Sequence, residues 1–155
     1  MAEARPDNAR RVDIVRCDKC GTKNRLRASA RGLPNCGKCH NPLPWVTEAG
    51  DDDYEQVVGA STLPVLVDMW AEWCGPCRTV SPALEQLASD MAGRLKLVKV
   101  NVDKSPALAE RFDVRSIPTL LVIRRGNVVS RQVGAAPAHA LRAWLDSALD
   151  GSNQG

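Results

Sequence analysis

A chain of 155 residues, 44% of them hydrophobic, suffices for one ordinary core of roughly 100–110 residues and a small appendage, and its average composition excludes disorder throughout. No apolar run approaches the roughly 20 residues of a membrane helix, and the first eleven residues lack the apolar stretch of a secretory signal, so a cytoplasmic protein with no membrane partner is expected. The net charge of +3 hides an asymmetry: residues 1–50 hold ten Lys/Arg against five Asp/Glu, and residues 51–155 hold eleven against thirteen.

In chain order, residues 1–11 read as a polar, disordered tail. Residues 12–44 are poor in core-forming side chains. They hold Cys17, Cys20, Cys36 and Cys39 among the turn formers Gly21, Gly32, Pro34 and Gly37, and Pro42 and Pro44 close the block. So small a segment needs a staple to fold. Two Cys-x-x-Cys pairs, fifteen residues apart, match the four-cysteine zinc pattern. In it, two knuckles give four thiolates to a closed, structural tetrahedral site. Iron, two disulfides or free thiols are the other chemistries open to these cysteines. Without an export signal, metal or redox use is favoured over a disulfide framework. Cys36-Gly37-Lys38-Cys39-His40 also matches the c-type haem attachment pattern. Haem would require export and a large pocket and would leave Cys17 and Cys20 unexplained, so no haem is expected. His40 then faces solvent or lies near the metal, and His139 reads as an ordinary surface residue.

From about residue 45 the pattern becomes an alternation of strands and helices. Residues 45–47 suit an edge strand, and Asp51, Asp52 and Asp53 can cap a short helix reaching about Ala60. Val65–Trp70 reads as a near-continuous apolar strand of a sheet covered on both faces. It leads straight into Trp73-Cys74-Gly75-Pro76-Cys77. Helix N-termini present unpaired N–H groups and partial positive charge, so a thiol placed there ionises more easily, and the thiolate is the reactive form. Beside such an alternation, Cys-x-x-Cys reads as a dithiol redox site. Val80, Leu84, Leu87 and Met91 recur at helical spacing, with Pro82 expected to kink that helix. Residues 95–102 form the next strand. Ser105 and Pro106 open a helix, with serine as the cap and proline at the first position. Strands at 119–123 and 128–133 join in a hairpin through 124–127, and a helix from about Pro137 sets Leu141, Leu145 and Ala148 on one face. The expected fold is α/β with a mixed central sheet. The expected segments are a tail 1–11, a metal module 12–44, a redox domain 45–150 and a disordered C-terminus 151–155. Asp68, a carboxylate inside an apolar strand, should have its pKa raised by burial.

The run from Val65 to Cys77, then Lys99-Val100-Asn101-Val102-Asp103, Ile117-Pro118-Thr119 and Gly134, resembles the thioredoxin family over about 45–150. The front quartet is similar to the thioredoxin-2 class, whose members carry an N-terminal zinc module. The resemblance implies a thioredoxin fold and a protein-disulfide reductase. Cys74 would be the nucleophile that attacks a target disulfide, and Cys77 would resolve the mixed species and leave a redox-active Cys74–Cys77 disulfide. Gly75-Pro76 is the pair associated with reductants, near ~−270 mV. By position, Asp68 would assist proton transfer at Cys77, with Lys99 near it. Ile117-Pro118 would be a cis peptide facing the cysteines, and the Ile117 backbone would pair with an extended target segment. Trp73 would offer a flat contact surface beside Cys74, Trp70 would pack beneath the site, and Gly134 would let a target backbone approach. Arg78 and Ser116 stand at positions that vary across the family and bear on target preference.

The implied partners are disulfide-containing target proteins and an NADPH-dependent flavoprotein thioredoxin reductase. The implied cofactor is structural Zn2+. No dinucleotide-binding fingerprint is visible, so no bound nucleotide is expected, and a monomer is expected. The zinc thiolates, upstream of a redox centre, should release their metal on oxidation. A rival of a different class is a nucleic-acid-binding adaptor whose basic ribbon holds phosphates while its second domain senses redox state. Against it, the ribbon has no aromatic cluster for base stacking, Trp45 being its only aromatic neighbour.

Overall fold

The computed structural model describes residues 12–151. The expected tail 1–11 lies outside the described residues, as does the expected C-terminal stretch apart from Gly151, which ends a helix. The elements are strands β1 (Val12–Arg16), β2 (Lys23–Arg27), β3 (Val46–Glu48) and β4 (Val65–Trp70), helix α1 (Gly75–Asp90), strand β5 (Lys96–Asn101), helix α2 (Pro106–Arg111), strands β6 (Thr119–Arg124) and β7 (Asn127–Val133), and helix α3 (Ala138–Gly151).

Five strands form the central sheet in the order β3-β5-β4-β6-β7. β3, β5 and β4 run parallel, and β6 and β7 are antiparallel to their neighbours. This is the expected mixed sheet. Successive side chains of a strand point to opposite faces, and β4 shows the consequence. Val65, Val67 and Met69 join a core with Tyr54, Val57, Leu108 and Phe112, beneath α2 and the segment preceding β4. Leu66 joins the other core, beneath α1 and α3, with Val80, Leu84, Leu141 and Leu145. Asp68 therefore falls on the α1 side, two residues beyond Leu66. α1 runs unbroken through Pro82. The β6–β7 turn is built by Arg125 and Gly126, both at positive φ, as two-residue hairpins require.

Two expectations about helix ends need correction. The helix expected over 51–60 is a wider, π-type turn, Glu55–Gly59, closed by the Ala60 N–H on the Glu55 carbonyl. Ser105 stands at the start of α2 but makes no side-chain capping bond. Asp51 supplies the cap instead: its carboxylate accepts the Ala107 and Leu108 N–H groups at 3.1 and 2.9 Å. Asp51 thus caps a distant helix, because the chain passes it across the free N–H groups of α2, where a carboxylate is electrostatically favoured.

The first two strands form a separate antiparallel hairpin whose small core is Cys17, Cys36 and Leu43. Its seam with the large sheet is anchored by Lys96, a residue fully buried at 0% exposure. The Lys96 ammonium donates to the Ala28 and Val57 carbonyls, each at 2.6 Å, and lies 4.2 Å from the centre of the Trp45 ring. Burial lowers its pKa to about 8, against an opposing pull from Asp13. A buried cation is tolerated only when its hydrogen bonds are met, and here the carbonyls come from both sides of the seam.

Candidate active site and metal centre

Cys74 caps the N-terminus of α1 with extended backbone, and its sulfur accepts the Cys77 N–H at 3.1 Å. The two cysteines are joined as a disulfide, and both are buried, at 4% and 2% exposure. Gly75 and Pro76 between them are exposed. An N–H donated to Cys74 Sγ, together with the positive end of the helix dipole, stabilises the thiolate once the bond is reduced.

Three loops surround this pair. The Ile117-Pro118 peptide bond is cis, and the Ile117 carbonyl oxygen lies 3.7 Å from Cys74 Sγ. Gly134 donates its N–H to the Pro118 carbonyl at 2.8 Å. Its φ of +93° is cheap only for glycine, and open space lies where a side chain would project. Trp73 is 67% exposed, and its indole N–H is held by Asp103 at 2.9 Å. Between Trp73 and Ile117 runs a cleft of about 520 Å³, floored by Val102, Pro106, Ala109 and Val114. Trp70 packs on the cluster of Ala71, Cys74 and Cys77, as expected.

Asp68 and Lys99 occupy partner positions on β4 and β5. Asp68 is 1% exposed, and its Oδ1 has no hydrogen-bond partner. Burial raises its pKa to about 6, while Lys99 pulls the other way. The lysine does not bond the aspartate. It donates to Ser81 at 2.6 Å and to Glu85 at 3.1 Å, both on α1.

In the hairpin module the four cysteines are free thiols, and their sulfurs all lie within 4.8 Å of one another. The close approaches are between knuckles: Cys17 to Cys39 at 3.5 Å and Cys20 to Cys36 at 3.6 Å. A tetrahedral site with metal–sulfur bonds of about 2.3 Å has sulfur–sulfur edges of about 3.8 Å, so the donor set fits a tetrahedral ion. The surrounding donors favour thiolates. Lys19 and Lys38 each direct a backbone N–H at the cysteine two residues earlier, at 3.4 Å. The Asn24 and Asn41 amides reach Cys36 and Cys39. The Cys36 thiol is held down to about 6, chiefly by the Cys39 N–H.

The two knuckles share one backbone plan. Gly21 donates its N–H to Cys17 O, and His40 donates its N–H to Cys36 O, at 3.0 and 2.9 Å. Both residues have positive φ, 77° and 66°. His40 is thus the left-handed turn residue of the second knuckle and is exposed. His139 is exposed as well.

The thioredoxin profile matches residues 45–147. The chain belongs to the thioredoxin family. It is a thiol-disulfide oxidoreductase with a thioredoxin fold. Among similar proteins, a thioredoxin of Haemophilus influenzae is 48% identical over 65% of this chain and 94% of its own length. Thioredoxin C-3 of Corynebacterium nephridii is 38% identical over 88% of this chain and 95% of its own. That match is too long for the redox domain alone and extends into the hairpin module. A thioredoxin of Acidithiobacillus ferridurans is 46% identical over 64% of this chain. No described helix is long and apolar enough to cross a membrane.

Sequence reasoning gave Asp103, Asn24, Asn41 and Lys96 no role. Asp103 stands within a family motif, which is a usable signal. The asparagines and the lysine act through contacts 12 or more residues away or through local turn geometry, which no spacing rule announces.

Proposed function

We propose that this chain is a protein-disulfide reductase working through Cys74 and Cys77, with a structural Zn2+ held by Cys17, Cys20, Cys36 and Cys39. The observation that carries the redox role is a single constellation: a cysteine pair on a helix N-terminus, the Ile117 carbonyl of a cis X-Pro bond 3.7 Å from the first sulfur, and a buried carboxylate on the strand beneath. In the reduced state the Cys74 thiolate attacks one sulfur of a target disulfide. A Cys74–target disulfide forms and the first target thiolate leaves. Cys77 then gives up its proton and attacks Cys74 Sγ, which releases the second target thiolate and closes the Cys74–Cys77 bond. Two electrons pass to the target, and an NADPH-dependent flavoprotein thioredoxin reductase restores them.

Asp68, with its pKa near 6, is the proton acceptor for Cys77, because a base works best when its pKa lies near the operating pH. Lys99 tunes it through charge while anchored to α1. Trp73, Gly75, Pro76, Ile117, Pro118 and Gly134 form the surface against which an extended target lies, with the Ile117 backbone adding a strand-like pairing. Zinc, when bound, supplies four metal–thiolate bonds that fold the small module, as its few core residues alone do not. Residues 12–44 and 45–150 act as two units, the first metal-stapled and the second core-stabilised. A reducing, cytoplasmic setting suits four unpaired thiols.

The test is insulin-disulfide reduction with NADPH and thioredoxin reductase, alongside zinc analysis of the same sample. NADPH should be consumed in proportion to the disulfide added, with one zinc per chain. Failure to reduce insulin despite reduction of Cys74–Cys77 by the reductase would overturn the reading.

A further inference from the structure

Neither cysteine site uses the outward face of the β1–β2 hairpin. Val12 pairs with Arg27, Ile14 with Arg25 and Arg16 with Lys23, and directly opposed residues share a face. All six are exposed, Ile14 by 60% and Val12 by 43%. The other face turns inward: Leu26 is buried, and the Thr47 hydroxyl donates to Asp13 at 2.6 Å. The outward face therefore carries four cations, two aliphatic side chains and no carboxylate. None of the four cations is in an ion pair among the described residues. Arg16 and Lys23 stand directly opposite, a like-charge pairing that costs stability. A surface built only for solubility intersperses both signs.

We propose that this face docks a protein partner through an extended segment that presents both carboxylates and aliphatic side chains on one face, at every second residue. Same-face residues of a strand recur every ~6.6 Å, the interval that separates Lys23, Arg25 and Arg27, so carboxylates on the facing side of such a segment come into register with them. Ile14 and Val12 meet its aliphatic side chains, giving a dry centre with a charged rim. A nucleic acid is a poorer complement. Residues 12–44 contain no Phe, Trp or Tyr on which bases would stack, and phosphates would leave Ile14 uncovered.

The module sits at the far end of α1. Asp18, Lys19 and Pro42 share a cleft with Gln86, Ser89 and Asp90, whereas Cys74 caps the opposite end. Sixteen residues of helix at about 1.5 Å each separate the two by ~24 Å. A docked partner leaves the dithiol open. Where that partner also holds a disulfide, docking raises the effective concentration of the disulfide at Cys74. That last step rests on the reductase reading, but the docking does not.

The experiment is fluorescence anisotropy on the zinc-loaded full chain. The probes are a labelled peptide with Glu and Leu at every second position and Ser between them, the same peptide with Gln for Glu, a short duplex DNA and a single-stranded RNA. The acidic peptide should bind, with affinity falling about tenfold between roughly 50 and 300 mM salt. Arg25→Glu with Arg27→Glu should weaken it by about tenfold or more, and Ile14→Ser by about threefold without altering nucleic-acid binding. Should the double variant lose zinc, the salt series and the Gln peptide decide on the parent chain. Both variants should keep parental insulin reduction, which separates failure of docking from failure of the reductase reading. Equal binding of Gln and Glu peptides, indifference to charge reversal in a zinc-loaded variant, or tighter binding of DNA or RNA than of the acidic peptide would overturn the proposal.

Discussion

The hairpin module and the redox domain use the same four-residue spacing for opposite purposes. In the module, each cysteine of a pair approaches a sulfur of the other pair, at 3.5 and 3.6 Å. In the domain, the two sulfurs of one pair bond each other. The knuckles end in left-handed residues, Gly21 and His40, and aim backbone N–H groups at sulfur, so their thiols face a common centre. Cys74 and Cys77 stand on one helical turn, with Pro76 between them. The backbone around each pair differs although the spacing is the same: a left-handed residue follows the second cysteine of each knuckle, whereas Cys77 lies within α1. The regions also differ in what stabilises them. The domain encloses two apolar layers, whereas the module's own apolar cluster holds three buried residues, two of them cysteines.

The largest effect should come from erasing the redox side of this contrast. Cys74→Ser should reduce insulin reduction by ~10³-fold or more while leaving zinc content unchanged. Cys77→Ser should keep the first attack and trap target proteins as mixed disulfides, visible on non-reducing gels. Retention of turnover by Cys74→Ser would remove it as nucleophile.

Erasing the metal side should act on the other region alone. Chelation, or Cys36→Ser, should remove hydrogen-exchange protection across residues 12–44 and leave protection in β4, β5 and β6 intact, since small metal modules depend on their ion to fold. Equal loss in both regions would mean that they fold as one.

A smaller effect should come from Asp68. Its native pKa near 6 lies above the ordinary value of 3.8, so the folded state holds its proton more tightly than the unfolded state. The cost of the buried charge is absent below about pH 4 and grows as pH rises to about 6. Asp68→Asn should therefore stabilise the chain by roughly 2–3 kcal/mol at pH 7 and by almost nothing near pH 4, as urea titrations at each pH will show. The same change should slow release of the mixed disulfide. A gain independent of pH would reject the burial argument.

The smallest effect should be at the seam. Lys96 has its pKa lowered to about 8 from 10.5, so the folded state gives up this proton first. Stability should rise as pH climbs from about 8 to 10.5, when the buried charge disappears. Lys96→Met should flatten that rise. At pH 7 it should change stability by within ~1 kcal/mol, because lost carbonyl contacts offset the relieved charge. An unchanged pH profile would show that the lysine titrates as in water.

Much of this was legible in the sequence because it is local. The apolar run of β4, the helical spacing of Val80, Leu84 and Leu87, and the Cys-x-x-Cys pairs each declare themselves within a few residues. What escaped is carried by contacts across the fold. Asp51 caps a helix 56 residues on, Lys96 reaches into the module, and Asp103 holds the Trp73 indole. The solvent face of the hairpin was hidden for a related reason. Lys23, Arg25 and Arg27 alternate visibly, but only the pairing register sets Arg16 and Ile14 beside them.

The bond from Lys96 to the Ala28 carbonyl spans 68 residues, and on the ribosome that separation becomes time. At about 5–20 residues per second, the lysine follows Ala28 by roughly 3–14 seconds. Throughout that interval the hairpin has no sheet to lean on. Its cysteines must meet an ion, or stay reduced and unordered, before the rest of the chain exists. On the proposed metal reading, an ion captured in that interval would order the front of the chain before the sheet exists.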